Sequence, residues 1–267
     1  MSDLREKTDI KYHFIIAVWG AEYVDTFLNI CMPSLLTPGN LEAFEHEPGA
    51  IFKIYTSPQD ADQITGSEPY SRIRRIMKVK TIPVDELATP DNHGASQYEG
   101  SLISMRKCHM MATEEGLGEE AAMVYLAPDA VWSEGTLSRM REITRSGKRA
   151  LLLSGLRVTK DDFQSKFLGK FADGSGGAPA PPRELTRLGL DHLHPLTKAL
   201  FTGSKKFSMK MAFQVYWRVS RGGFLARCLV MHPLMVRPRL ANPSLRLSFD
   251  ADYLLSACPD YEDYYIV

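Results

Sequence analysis

Apolar residues in this chain fall into short unbroken runs, separated by segments in which they recur every three or four positions. The runs are Tyr12 to Val18 (YHFIIAV), Ile51 to Thr56 (IFKIYT), Met123 to Leu126, and Arg149 to Val158 (RALLLSGLRV). Runs without a polar break are what strands buried on both faces of a sheet require. A further strand is expected near Val79 to Val84, after a helix near Asp60 to Ile64 and a basic run from Arg72 to Lys80. Helical spacing places Val24, Phe27, Leu28, Met32 and Leu35 on one face of Tyr23 to Leu36, with Pro33 disturbing the last turn. Leu102 to Leu117 groups Met105, Cys108 and Ala112, and a helix from Ser133 onward carries Leu137, Met140 and Ile143. This alternation predicts an α/β fold: a mixed, mainly parallel sheet with helices on both faces.

The pattern changes after residue 160. Gly174 to Pro182 (GSGGAPAPP) reads as a flexible segment without core-forming residues, either a linker or a mobile active-site loop. Arg183 to Phe201 returns to helical character, interrupted at Pro195. Ala212 to Val219 and Phe224 to Val236 flank SRGG and read as a C-terminal β-hairpin. The acidic-aromatic end, YEDYYIV, either continues the core or forms an interface. Residues 1–160 are therefore read as an α/β half and 161–267 as a C-terminal elaboration of the same compact domain.

With 32 basic and 32 acidic side chains in 267 residues, no net field favours nucleic acid or an anionic membrane. Four scattered cysteines form no CxxC pair, which argues against structural zinc and fits free thiols in a reducing compartment. The charged start MSDLREKTDIKYHF is unlike a signal peptide, and no apolar run approaches the roughly 20 residues of a membrane span. A cytoplasmic location is expected.

Missing motifs narrow the chemistry. The chain lacks GxxxxGK[ST] and GxSxG, and no GxGxxG follows its first strand. The GSGG at Gly174 precedes alanine and proline rather than a helix, so it suits a hinge better than a phosphate cradle. Pro128 should end the Met123 strand with Asp129 at its carboxyl edge, where open α/β sheets keep their ligands. A carboxylate there could hold a metal ion, a sugar hydroxyl or a catalytic proton. Trp19, Glu22 and Tyr23, just past the first strand, could meet a nucleobase and ribose, or simply pack a capped loop. Arg106 and Lys107 are solvated helix charges or phosphate contacts.

The run FIIAVWGAEYVDTFLNICMPSLL, then IFKIYT, the helix around SMRKCHMMA, and MVYLAPDAVWSEGTL together resemble the nucleotide-sugar-binding half of a GT-A type, Rossmann-like glycosyltransferase. The pattern is most similar to glycogenin-like and uncharacterised bacterial glycosyltransferase-like proteins and covers about the first 160 residues. The resemblance implies a nucleoside diphosphate sugar as donor and a DxD motif whose carboxylates hold Mn2+ or Mg2+ against the diphosphate. That window falls on Ala127, Pro128 and Asp129, so the first aspartate is absent and metal dependence is open. It also implies Trp19, Glu22 and Tyr23 near base and ribose, Arg106 or Lys107 near the diphosphate or sugar, and His232 as a late metal ligand, for which a packed, hydrogen-bonded strand histidine is the alternative; Arg237 and Arg239, which follow it, could meet phosphate.

Two further features remain. His192 and His194 point to different sides of a helix, which disfavours a shared metal. SFDADYL offers Asp250 or Asp252 as the base that takes the acceptor hydroxyl's proton, or as helix N-caps. The expected activity is sugar transfer from a nucleoside diphosphate sugar to an unidentified acceptor. The alternatives are a glycosyltransferase-like binding protein without turnover and another α/β nucleotide-dependent transferase.

Overall fold

The structure, a computed structural model, describes residues 10–85, 87, 97–207, 214–220, 223–228, 231–239 and 257–267. Strands β1 (Tyr12–Ala17), β2 (Ile51–Thr56), β3 (Lys78–Pro83), β4 (Ala122–Leu126) and β5 (Ala150–Leu153) follow the apolar runs. Then come β6 (Gln214–Ser220), β7 (Gly223–Cys228), β8 (His232–Val236) and β9 (Tyr264–Ile266). Seven of these form one sheet in the order β3-β2-β1-β4-β8-β5-β9, while β6 and β7 pair separately. Within the large sheet only β8 runs against its neighbours. The architecture is a mixed, mainly parallel α/β sheet with helices on both faces and a C-terminal hairpin.

The period of two along β1 divides the core. Phe14 and Ile16 enter one cluster with Val24, Phe27, Phe44, Leu137 and Met140. Ile15 and Ala17 enter another with Tyr55, Cys108, Ala112 and Tyr125. Both faces of β1 are thus covered, which is why its sequence shows no polar alternation. The first face carries α1 (Ala21–Thr26), α2 (Met32–Leu35), α3 (Pro58–Thr65), α4 (Glu68–Ile76) and α6 (Thr136–Arg145), whereas α5 (Gln97–Gly118) lies on the second.

Several expectations need correction. The single helix over Tyr23 to Leu36 is split by a π-helical turn at Phe27–Cys31, where the Met32 N–H donates to the Phe27 carbonyl. Pro33 has no N–H for the Asn29 carbonyl and its ring crowds that turn, so the helix widens just before it. The basic run is divided between the end of α4, which is capped by the Ser67 hydroxyl on the Tyr70 N–H and buries Ile73 between Arg72 and Arg74, and the start of β3. Lys160–Phe171 forms α7, whose Phe163, Phe167 and Phe171 pack on Ile30, Ala178 and Ala180.

Ala178 and Ala180 are fully buried, so GSGGAPAPP does contribute to a core. One Asp173 carboxylate oxygen gathers the Ser175 N–H, the Ser175 hydroxyl and the Gly177 N–H, closing this segment as an ordered strap. Beyond it, α8 (Pro182–Asp191) and α9 (Pro195–Lys198) each begin at a proline, where the missing donor costs nothing.

The hairpin holds for β6 and β7, but the expected strand Phe224 to Val236 does not continue through it. Its second part is β8, inserted between β4 and β5. Pro233 cannot donate to that ladder, and the register against β5 shifts between Leu151 and Leu152, opposite Pro233. YEDYYIV supplies β9 at the sheet edge, parallel to β5.

Candidate functional site

The strand order defines the site. The chain lays β1, β2 and β3 outward in one direction, then crosses through α5 to place β4 on the other side of β1. The order therefore reverses between β1 and β4, the kind of point at which open α/β sheets generally take their ligands. Trp19 follows β1 on one side of this point, and Ala127, Pro128 and Asp129 follow β4 on the other.

Asp129 is exposed. The Ala127 carbonyl before it accepts from the Ala130 N–H at 3.2 Å and from the Cys31 thiol at 3.6 Å. Burial, with the Asp129 charge second, pushes the Cys31 thiol far above the usual range, so it is an inert packed group. Because β8 runs antiparallel to β4, its first residue lies beside the last residues of β4. His232 Nε2 accordingly lies 3.0 Å from the Tyr125 carbonyl, to which it donates. Burial holds the ring's pKa below 6.5, against the opposing effects of that hydrogen bond and the Asp129 charge. Asp129 and His232, which are 103 positions apart in sequence, thus both lie at the carboxyl end of β4, where the Asp129 charge acts on the imidazole. A histidine whose Nε2–H is fixed on a carbonyl presents Nδ1 as its acceptor, the tautomer a metal ligand needs. Among the described residues no group of three or more His, Cys, Asp or Glu side chains is placed to hold a metal ion.

Trp19 is half-buried against the second core cluster. Next to it, Gly20 has φ 82° and its N–H donates to Asp60 Oδ2 at 2.8 Å. Asp60 also accepts from the Ser57 hydroxyl at 2.6 Å, so the loops after β1 and β2 are tied together. Glu22 forms an exposed ion pair with Lys160 that lowers its pKa, and Tyr23 is 55% exposed. On α5, Arg106 is half-buried, whereas exposed Lys107 donates to the Asp85 carbonyl at 3.1 Å beyond β3. Asp250 and Asp252 lie outside the described residues.

Two features escaped the sequence reading. The Thr56 hydroxyl, at the carboxyl end of β2, is buried with no hydrogen-bond partner. On the α5 face, fully buried Lys53 sits 3.0 Å from both Glu115 Oε2 and His13 Nδ1, and His13 Nε2 is 3.5 Å from Glu119. A lysine inside IFKIYT, where a two-face-buried strand has no room for an unpaired charge, was the available signal.

No protein-family model and no curated protein matches the chain. Among solved structures, it is similar to a chain from Bacillus anthracis assigned as a glucose-1-phosphate thymidylyltransferase, in complex with sucrose, at 15% identity and a TM-score of 0.30. It is also similar to mouse xyloside xylosyltransferase 1 in its apo form, at 14% identity and a TM-score of 0.34. The aligned parts cover 57% and 61% of this chain, and the chain spans 57% and 60% of those two. Among the described residues no helix is long and apolar enough to cross a membrane.

Proposed function

We propose that this chain is a GT-A-like glycosyltransferase that moves a sugar from a nucleoside diphosphate sugar to an acceptor hydroxyl. The observation that carries the reading is the joint position of Trp19, Asp129 and His232 around the strand-order reversal. There, at the carboxyl edge of the sheet, Trp19 follows β1, Asp129 follows β4 and His232 bonds the Tyr125 carbonyl, where open α/β sheets generally take ligands. In this reading the Trp19 ring stacks on the base, Glu22 and Tyr23 contact the base or ribose, and Arg106 or Lys107 meets the diphosphate. Asp129 and His232 would hold Mn2+ or Mg2+, which when bound neutralises charge on the departing diphosphate. The low proton affinity of His232 suits that role, since it keeps the ring neutral. Asp250 or Asp252 would take the acceptor hydroxyl's proton as it attacks the anomeric carbon.

A second reading, nucleotide or sugar binding without turnover, draws on Ala127. It occupies the position of the first aspartate of DxD and contributes only its carbonyl, already engaged by Cys31 and Ala130.

The test is a thermal-shift panel of uridine, guanosine, cytidine and thymidine diphosphates and their sugars, with and without Mn2+ or Mg2+, on the native chain and on Asp129→Ala. A ligand at a hundred times its Kd adds about 2.7 kcal/mol. The expected result is stabilisation by one nucleotide series, lost in the variant. Stabilisation without release of nucleoside diphosphate in the presence of acceptor sugars would favour the second reading. No stabilisation by any member would refute both.

A further inference from the structure

The opposite edge of the sheet, where β4 and β5 begin and β8 ends, holds a cleft of about 400 Å3 lined by the last turn of α5, Glu120, Arg149, Arg237 and Arg239. That volume falls in the range of small-molecule sites. Its three guanidinium groups are in different states. Arg239 is paired, with Nε and one terminal nitrogen 2.6 and 2.7 Å from the Asp263 carboxylate. Arg149 is held in place but not neutralised, because it donates to two uncharged acceptors, the Arg237 carbonyl at 3.0 Å and the Pro238 carbonyl at 2.9 Å. The Arg237 Nε is buried without a hydrogen-bond partner, and among the described residues Arg237 has no ion pair.

A permanent charge with an unanswered buried donor is unfavourable unless an anion completes it. The nearby helix terminus does not supply one. The Gly116 carbonyl already accepts from Glu119 and Ala121, and the Leu117 carbonyl from Glu120. Glu120 itself is exposed and forms no ion pair with the three arginines among the described residues. Burial, followed by the charges of Arg237 and Arg239, lowers the pKa of Arg149, against smaller opposing effects of Cys258 and Asp263.

We infer that this cleft binds a phosphoryl-bearing anion, either inorganic phosphate or the phosphate of a small metabolite, gripped by Arg237 and Arg149, with Arg239 fixed beside them by Asp263. Planar guanidinium forks match phosphate oxygens bidentately, and two uncompensated charges match a dianion. The site is a strand's length from Asp129, roughly 16 Å, and does not depend on the transferase reading.

The test is thermal unfolding of the full chain in sodium phosphate, in glycerol phosphate and in sodium chloride at equal ionic strength, with 31P line broadening as a second readout. Phosphate should raise the midpoint saturably beyond chloride and broaden in the presence of protein. Arg237→Met should weaken apparent affinity about tenfold or more, Arg237→Lys less, and Asp129→Ala not at all. Among the described residues the Arg237 side chain makes no hydrogen bond or ion pair that its replacement would break, so the variants should fold. Tighter binding of glycerol phosphate would assign the site to a metabolite; equal or weaker binding would assign it to free phosphate. No effect beyond chloride and no broadening, or affinity unchanged in Arg237→Met, would overturn the inference.

Discussion

Lys53 and Glu115 should respond asymmetrically to removal. Lys53 has no exposed surface, and its ammonium is answered by Glu115 and His13, each at 3.0 Å; Glu115 is 37% exposed and also meets Lys80 at 3.4 Å. Burial lowers the lysine's proton affinity and Glu115 raises it, so the carboxylate is what keeps the buried ammonium tolerable. Glu115→Ala strands that charge. Breaking a buried pair costs about 3–5 kcal/mol, and exposure of the carboxylate places this case near 3. Lys53→Met instead replaces the ion with an apolar chain of similar length, and Glu115 keeps Lys80 and water; the expected cost is below about 1 kcal/mol. The double variant should resemble Lys53→Met. At about 2–4 °C per kcal/mol for a chain of this size, Glu115→Ala should lose about 6–12 °C in Tm. Urea unfolding of the four proteins gives the coupling free energy. Equal, additive losses in the two single variants would refute the account.

Four further outcomes are expected. Thr56→Val removes a buried, unanswered hydroxyl and keeps the shape, so stability should rise by about 1 kcal/mol in urea unfolding; a loss would mean the hydroxyl is answered in solution. Gly39 has φ 75°, and a Cβ there would lie 3.0 Å from the Gly135 Cα, so Gly39→Ala should cost about 2 kcal/mol or more, read as a lower urea midpoint. Burial and Lys53 lower the pKa of His13 from 6.5, so the unfolded chain binds its proton more readily. The His13 contribution to stability is then complete above pH 6.5 and lost as pH falls through the folded value, and His13→Gln should flatten that limb of the urea-midpoint profile. The contribution of Asp263, whose pKa Arg239 lowers from 3.8, should persist until more acidic pH.

The central strands were legible because burial on both faces leaves a local mark. IIAV, IFKIYT and MVYL have few polar residues, and each sits where expected as β1, β2 and β4. Asp129 was legible for a related reason, since Pro128 ends a strand by local sterics and the end of a parallel strand is where such sheets open. Other features left weaker traces. Phe163, Phe167 and Phe171 do recur at helical spacing, but among charged neighbours, and only the strap of Ala178 and Ala180 shows what they pack against.

Local sequence is enough to set an α/β sheet with a carboxylate at the end of its central strand, because strand burial and proline act within a few residues. Tertiary structure alone decided that β8 leaves the hairpin for the sheet, that His232 meets the end of β4, and that Arg149 and Arg237 share the opposite edge. Those are pairings between residues about a hundred positions apart. Their energy comes from hydrogen bonds and burial that exist only once the strands are side by side, so no local pattern encodes them.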